Sequence, residues 1–264
     1  MTLIQIVILA VIQGITEFLP ISSSGHLALT PVLLGWQDQG LIIDVAVHVG
    51  TLGAVIIYLW RDVWAMFQGL IRLPTGRIDD GARLAGLILL ASIPVIMAGF
   101  AVKLWFGDAL RTPAVIGWSF IGFGLLLYGC DRLGLTILKI EHMKLGGALM
   151  IGLAQVLALI PGASRAGVTI TMARMMGYER RDAARFSMLL SIPAITGAGA
   201  LATLDLIESG DAALQTSALL GALLSLIAAL IAIAAMMGWL RRASFTPFVY
   251  YRVVVGVLIL WLAV

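Results

Sequence analysis

Gln13-Gly-Ile-Thr-Glu17-Phe-Leu-Pro20-Ile-Ser-Ser-Ser-Gly-His26 stands in the middle of an apolar stretch, residues 2–35, and Pro161-Gly-Ala-Ser164-Arg165 interrupts a second one, 145–178, in the same way. Proline removes an amide donor and clashes with the preceding turn, and glycine loosens the backbone. Each stretch therefore reads as two half-helices joined by a polar break. Broken backbone at membrane depth survives only where protein or a water-filled cavity covers it.

The surroundings are those of a membrane protein. Of the 264 residues, 61% are hydrophobic and 12% charged, about half the charge that a soluble domain carries, roughly 25%. Mean hydropathy is +1.06. A net charge of only +3 with so much apolar surface excludes disorder. The single cysteine, Cys130, forms no intramolecular disulfide. Residues 1–12 are apolar, with no basic residues before them and no small-residue cleavage site, which is not the pattern of a secretory signal. Six further segments, about 40–60, 81–102, 113–130, 183–203, 216–239 and 247–264, are long and apolar enough to cross a bilayer.

Charge decides whether the two broken stretches cross or turn back. If both are re-entrant, Arg61, Arg72, Arg77, Arg83, Arg132, Lys139, Lys144, Arg174, Arg180, Arg181, Arg185, Arg241, Arg242 and Arg252 fall on one side. Of the 17 basic residues, only Lys103 and Arg111 then lie opposite, with Asp38, Asp108, Asp205, Glu208 and Asp211, while Arg165 sits inside the second break. That is a positive-inside pattern, which also accounts for the pI near 9.3 without invoking nucleic acid. The expected fold is an all-α polytopic membrane protein, one integral membrane domain over 1–264. It has six transmembrane helices plus two re-entrant half-helix hairpins. The layout of hairpin and three crossings repeats, with halves about 1–130 and 145–264. An odd number of crossings per half inverts the second half, and Pro20-x-x-Ser23 echoes Pro161-x-x-Ser164. Inverted repeats with broken helices place a site where the breaks meet near the midplane.

The breaks carry chemistry suited to an anion. Gln13 and Glu17 share a face of the first half-helix; Ser22, Ser23 and Ser24 offer caps for the next, with His26 one turn beyond Ser23. Ser164 caps the half-helix that opens with Arg165, and Thr169 lies on the same face. Both helix N-termini direct unpaired amides inward, and Arg165 adds a fork that fits phosphate oxygens. An ionised side chain at membrane depth costs at least about 2.5–3.5 kcal/mol, which marks Glu17 and Arg165 as functional; the blander reading is a structural ion pair. Asp44 and His48 lie four apart at the start of the third apolar segment and face the same cavity or an external wetted interface. Gly50, Gly53, Gly197 and Gly199 read as close-packing positions. Trp60, Trp64, Trp105, Trp239, Tyr250 and Tyr251 read as interfacial aromatics. No His-Glu-x-x-His and no Gly-x-x-x-x-Gly-Lys occurs.

The string 13–26, with Pro161-Gly-Ala-Ser-Arg-Ala-Gly-Val-Thr169, resembles the undecaprenyl-diphosphate phosphatase family associated with bacitracin resistance. So do Asp44-Val-Ala-Val-His48-Val-Gly-Thr51 and Ser244-Phe-Thr-Pro-Phe, and the likeness covers essentially the whole chain. Gln13 stands where many members have a second glutamate, and Ala166 where serine is common. The resemblance implies hydrolysis of undecaprenyl diphosphate to undecaprenyl phosphate and inorganic phosphate, recycling the lipid carrier for peptidoglycan synthesis. It also implies a bacterial inner-membrane location, an outward-facing site and a divalent cation, Mg2+ or Ca2+, with Glu17 and Asp44 as its expected ligands. Ser23, His26, Glu17 and Arg165 are the catalytic candidates. Ser24, Ser164, Thr169 and Gln13, with Arg165, are the candidates for holding phosphate. Expected partners are the lipid substrate and membrane lipids, with a homodimer admitted and no nucleic acid. The rival is a lipid-phosphate or anion transporter on the same architecture. The other lipid-phosphatase superfamily is excluded, because position 171 is threonine where it needs histidine and no Arg-Pro dipeptide exists.

Overall fold

The computed structural model describes residues 1–76, 78–105, 112–208 and 211–262. Among them there are eleven α-helices and no β-strand beyond one isolated bridge, Leu138–Tyr178. The first broken stretch folds as α1 (Leu3–Thr16) and α2 (Ser23–Leu34), and the second as α7 (Leu145–Gln155) and α8 (Arg165–Met175). Thr2 starts α1 with a capping box to Gln5, and Gly35 in left-handed conformation ends α2. At about 1.5 Å per residue the 14 residues of α1 reach only about 21 Å, short of the roughly 30 Å hydrocarbon core.

The six long apolar segments are helices: α3 (Leu41–Tyr58), α5 (Asp80–Trp105), α6 (Pro113–Leu133), α9 (Arg180–Glu208), α10 (Ala212–Trp239) and α11 (Thr246–Leu262). Four of them, α3, α5, α6 and α10, are long and apolar enough to cross a membrane. The chain is a polytopic membrane protein, and its outer faces agree: Leu219, Leu223, Ile227 and Ile231 line one exposed face of α10, an apolar strip of the kind that lipid covers. One element was not expected. The chain breaks at Leu59 and starts α4 (Trp60–Arg72), whose Trp60, Trp64, Phe67 and Ile71 are exposed beside Arg61 and Arg72. Trp64 therefore lies inside an amphipathic helix of its own, not at the end of a crossing.

Helices pair across the two halves. α1 and α3 pack on α10, α7 and α9 pack on α5, and α3 meets α9 as α6 meets α11. Small residues make these approaches close: a Cβ on Gly50 would lie 2.0 Å from the Ala222 carbonyl oxygen, one on Gly14 2.5 Å from Ala228 Cβ, and one on Gly152 2.2 Å from the Ala91 carbonyl oxygen. Gly53 and Gly199 also meet neighbours, but Gly197 faces open space, so the packing role expected of it does not hold.

Two arginines counted as loop charges are core residues. Arg174 and Arg252 are both fully buried. Arg174 donates through Nε to Asp131 Oδ1 at 2.8 Å, and Arg180 Nε reaches the same oxygen at 2.8 Å. Asp131 Oδ2 accepts from the Phe245 amide at 3.2 Å. This knot ties the ends of α6 and α8 to the starts of α9 and α11, because a buried guanidinium is stable only when its donors find acceptors. Arg77, Asp108 and Arg111 lie outside the described residues, as do the side chains of Lys103, Trp105 and Asp205.

Candidate active site

Each break turns on a serine. Ser22 (φ 73°, ψ 90°) caps α2 by accepting from the Gly25 amide at 3.4 Å, and Ser164 (φ 73°, ψ 114°) caps α8 by accepting from the Gly167 amide at 3.0 Å. They are the only non-glycine residues with positive φ among the described residues, a conformation that costs on the order of 1–3 kcal/mol each. Proline spacing had matched Ser23 to Ser164. The caps correct that register by one residue, because the hydroxyl that reaches the third amide of the helix defines the start of the turn, whatever the distance to the proline. Ser22 corresponds to Ser164, and Ser23 to Arg165, each the first residue of its helix.

That correspondence puts the chemistry face to face. Glu17, 6% exposed, closes α1. Its Oε2 accepts from Ser23 Oγ at 2.5 Å and from Gln13 Nε2 at 3.1 Å, and its Oε1 accepts from Arg165 Nη2 at 3.0 Å. His48 Nε2 lies 3.5 Å from Oε2. The imidazole is oriented by Nδ1, which donates to the Asp44 carbonyl at 2.6 Å. Arg165 is held from the other side by the Ser187 carbonyl, 2.9 Å from Nη1. Serine, carboxylate and guanidinium thus form one continuous chain between the two breaks.

A cavity of about 350 Å³ opens onto this chain, lined by Glu17, Ser23, Ser24, Asp44, His48, Ser164 and Arg165, with apolar walls from Leu41, Val45, Ala158, Ala194 and Ile195. Its Leu41–Asp44 wall is at the opposite end of α3 from Arg61. The structure gathers seven sequence candidates here: Glu17, Ser23, Ser24, Ser164, Arg165, Asp44 and, through its bond to Glu17, Gln13. Two others are placed elsewhere. His26 does not reach Ser23: its Nδ1 donates to the Ser22 carbonyl at 2.7 Å and its Nε2 pairs with Tyr251 Oη at 2.6 Å. It packs on Tyr251 and Phe120. One helical turn separates it from Ser23 as expected, yet the turn carries it round α2 toward α11, where Tyr251 is its partner. Thr169 is buried and bonds the Arg165 and Ala166 carbonyls and Ser187 Oγ, so it supports Arg165 from outside the cavity. Ser187 itself carried no signal in the sequence, being one serine in a long helix.

The donor set fits a divalent cation that is shared with a phosphate ligand. Glu17 and Asp44 line one cavity, and Gln13, which donates to Glu17 through Nε2, keeps its Oε1 buried without a hydrogen-bond partner. Among the described residues no group of three His, Cys, Asp or Glu forms a dedicated cage. Magnesium in particular is commonly held by one or two carboxylates plus substrate phosphates.

Such a constellation defines a class: polytopic membrane proteins in which a serine, a carboxylate and a guanidinium from two broken helices meet at one cavity. The family model described as bacitracin resistance protein BacA matches residues 6–258. Undecaprenyl-diphosphatase 1 of Rhodospirillum rubrum is 54% identical, covering 100% of this chain and 96% of that protein. The undecaprenyl-diphosphatases of Jannaschia sp. and Alteromonas mediterranea are 52% and 46% identical, covering 100% and 99% of this chain and 99% and 98% of their own. The chain belongs to the bacitracin resistance protein BacA family.

Proposed function

We infer that this chain hydrolyses undecaprenyl diphosphate to undecaprenyl phosphate and inorganic phosphate, returning the lipid carrier to cell-wall synthesis and opposing bacitracin. The observation that carries the reading is the unbroken Ser23–Glu17–Arg165 chain, at 2.5 and 3.0 Å, on the wall of a cavity between two membrane-buried breaks. Relatives that bear the diphosphatase name match it over 96% and 99% of their own length.

In the mechanism we propose, Ser23 Oγ gives its proton to Glu17 Oε2 and attacks the terminal phosphorus. The phosphoanhydride bond breaks, undecaprenyl phosphate leaves carrying the proton that Glu17 had taken, and a phosphoserine remains. Water gives a proton to the ionised Glu17 as it attacks that phosphorus; the bond from phosphorus to Ser23 Oγ breaks, Oγ takes the proton from Glu17, and inorganic phosphate leaves. Arg165 and the amides at the start of α2 and α8 hold the phosphoryl oxygens, since phosphoryl transfer depends on positioning and electrostatic stabilisation. Glu17 and Asp44 are the residues that would hold a Mg2+ or Ca2+ ion, which when bound neutralises phosphate charge. Glu17, not His26, is the base in this scheme, because the carboxylate touches Ser23 and the imidazole does not.

The placement in the membrane belongs to the same proposal. α3, α5, α6, α9, α10 and α11 cross, α1–α2 and α7–α8 turn back as hairpins, and the halves about 1–130 and 145–264 are inverted repeats. The cross-half pairing of α1 with α10 and α7 with α5 supports this. The cavity mouth near Leu41 then faces away from the arginine-rich side, outward from a bacterial inner membrane. The test is rapid quench of detergent-purified protein with labelled substrate: a phosphoserine at Ser23 that forms and decays within a turnover is expected. Full activity in Ser23→Ala would overturn the assignment.

A further inference from the structure

Arg252 lies in α11, far in sequence from both breaks, and is fully buried. Its Nε donates to the Phe120 carbonyl at 3.0 Å. Nη1 donates to the Pro20 carbonyl at 3.1 Å and the Ala163 carbonyl at 3.1 Å, and Nη2 to the Ser119 carbonyl at 3.1 Å and the Gly162 carbonyl at 2.9 Å. A guanidinium has five N–H groups, and these bonds are five. Among the described residues no carboxylate pairs with it; the Phe120 ring, 5.5 Å from Cζ, is its other neighbour. Pro20, Gly162 and Ala163 belong to neither half-helix, so their carbonyls are the groups that broken backbone leaves unpaired at membrane depth.

We propose that Arg252 is a positioning residue for the phosphate chemistry, a clasp that fixes the first break against the second by bonding carbonyls of both. Pro20 lies midway between Glu17 and Ser23, and Gly162 and Ala163 lead directly into Ser164 and Arg165. Holding those carbonyls on one rigid planar group sets the distance and rotation of the carboxylate–serine pair relative to the guanidinium of Arg165. The surrounding sequence is shaped to admit it: a Cβ on Gly167 would lie 3.0 Å from Arg252 Nη1, and one on Gly124 3.2 Å from Arg252 Cβ. Lysine keeps the charge but presents three donors on one point, which cannot span both tips in a plane.

The inference rests on the hydrolysis reading for its rate measurement and is separable from it by a distance measurement. R252K is compared with the parent, both carrying Cys130→Ala and nitroxide labels on S24C and L157C, one on each hairpin. The folded fraction is monitored by gel filtration and melting. For folded R252K we expect a broadened interlabel distance distribution. In the unlabelled protein kcat for phosphate release should fall at least tenfold with KM within threefold, and no further when R252K is combined with R165K. Gly167→Ala, which presses on Nη1 and leaves the arginine in place, is expected to show the same pattern more weakly, and it decides the matter if R252K is not recovered folded. An unchanged distribution with unchanged kcat, or losses that multiply with R165K, would overturn the clasp. Absence of phosphate release from the parent would instead remove the hydrolysis reading, while the distance distribution still judges the clasp.

Discussion

Glu17→Gln separates the two roles that the carboxylate holds. The amide keeps the size of the side chain and still meets Ser23 Oγ and Arg165 Nη2, at 2.5 and 3.0 Å in the parent, but it takes no proton and carries no charge. Losing a general base costs typically 100- to 10,000-fold, so kcat is expected to fall by about that factor, or roughly 3–5.5 kcal/mol of transition-state stabilisation. Ground-state binding should move the other way. An ionised Glu17 repels an incoming phosphate: two unit charges 4 Å apart interact by about 4 kcal/mol at an effective dielectric of 20. Arg165, paired to the same carboxylate, cancels much of that. If about a third survives, removing the charge tightens pyrophosphate binding roughly tenfold, since about 1.4 kcal/mol is one decade. The assay is phosphate release from detergent-solubilised enzyme for kcat, and competitive inhibition or calorimetry with inorganic pyrophosphate, the latter in chelator so that no metal bridges the ligand to Glu17. A variant with intact kcat, or one that binds pyrophosphate more weakly in chelator, would refute the assignment of Glu17 as base and neighbour of the phosphate.

Other substitutions test the scaffold. His26→Asn keeps a donor for the Ser22 carbonyl and should retain more activity than His26→Ala, because the imidazole acts on the turn and not on the proton; equal inactivity in both would assign it a proton-carrying role. Asp131→Asn removes the charge shared by Arg174 and Arg180. Because Arg174 is fully buried, about 3–5 kcal/mol of stability should be lost, seen as a lower melting temperature with residual activity at low temperature. Gly50→Val drives a side chain into the Ala222 carbonyl, 2.0 Å from the added Cβ. It should cost at least the 1–3 kcal/mol of an overpacked core and reduce the yield of folded protein, whereas Gly197→Ala, which meets open space, should be silent.

The membrane-spanning helices and the two breaks were legible in the chain because their signals are local. Apolar run length, proline and glycine in mid-run, and lysine and arginine at segment ends each act over a few residues. Glu17 and Arg165 were legible for a related reason, as charges that lipid will not solvate. Arg252 violated the same rule six residues into an apolar segment, yet counting loop charges absorbed it, since a basic residue near a segment end also satisfies the orientation rule. His26 was misplaced because a spacing of three residues reports adjacency on a helix surface and not the direction that surface faces. α4 went unforeseen because its apolar face continues the hydrophobic run of α3, and only the backbone break at Leu59 separates them.

By itself the chain determined its solvent, its helical elements, the points at which two of them break, and the polar residues stranded there. All of these follow from transfer free energies and backbone chemistry that neighbouring residues impose. Only the tertiary structure decided which of those polar groups meet. The Glu17–Arg165 contact spans 148 positions, and the seat of Arg252 between the breaks depends on α11 packing beside α6. Such meetings are fixed by how whole helices cross one another, through small-residue contacts and buried hydrogen bonds that no short window of sequence contains.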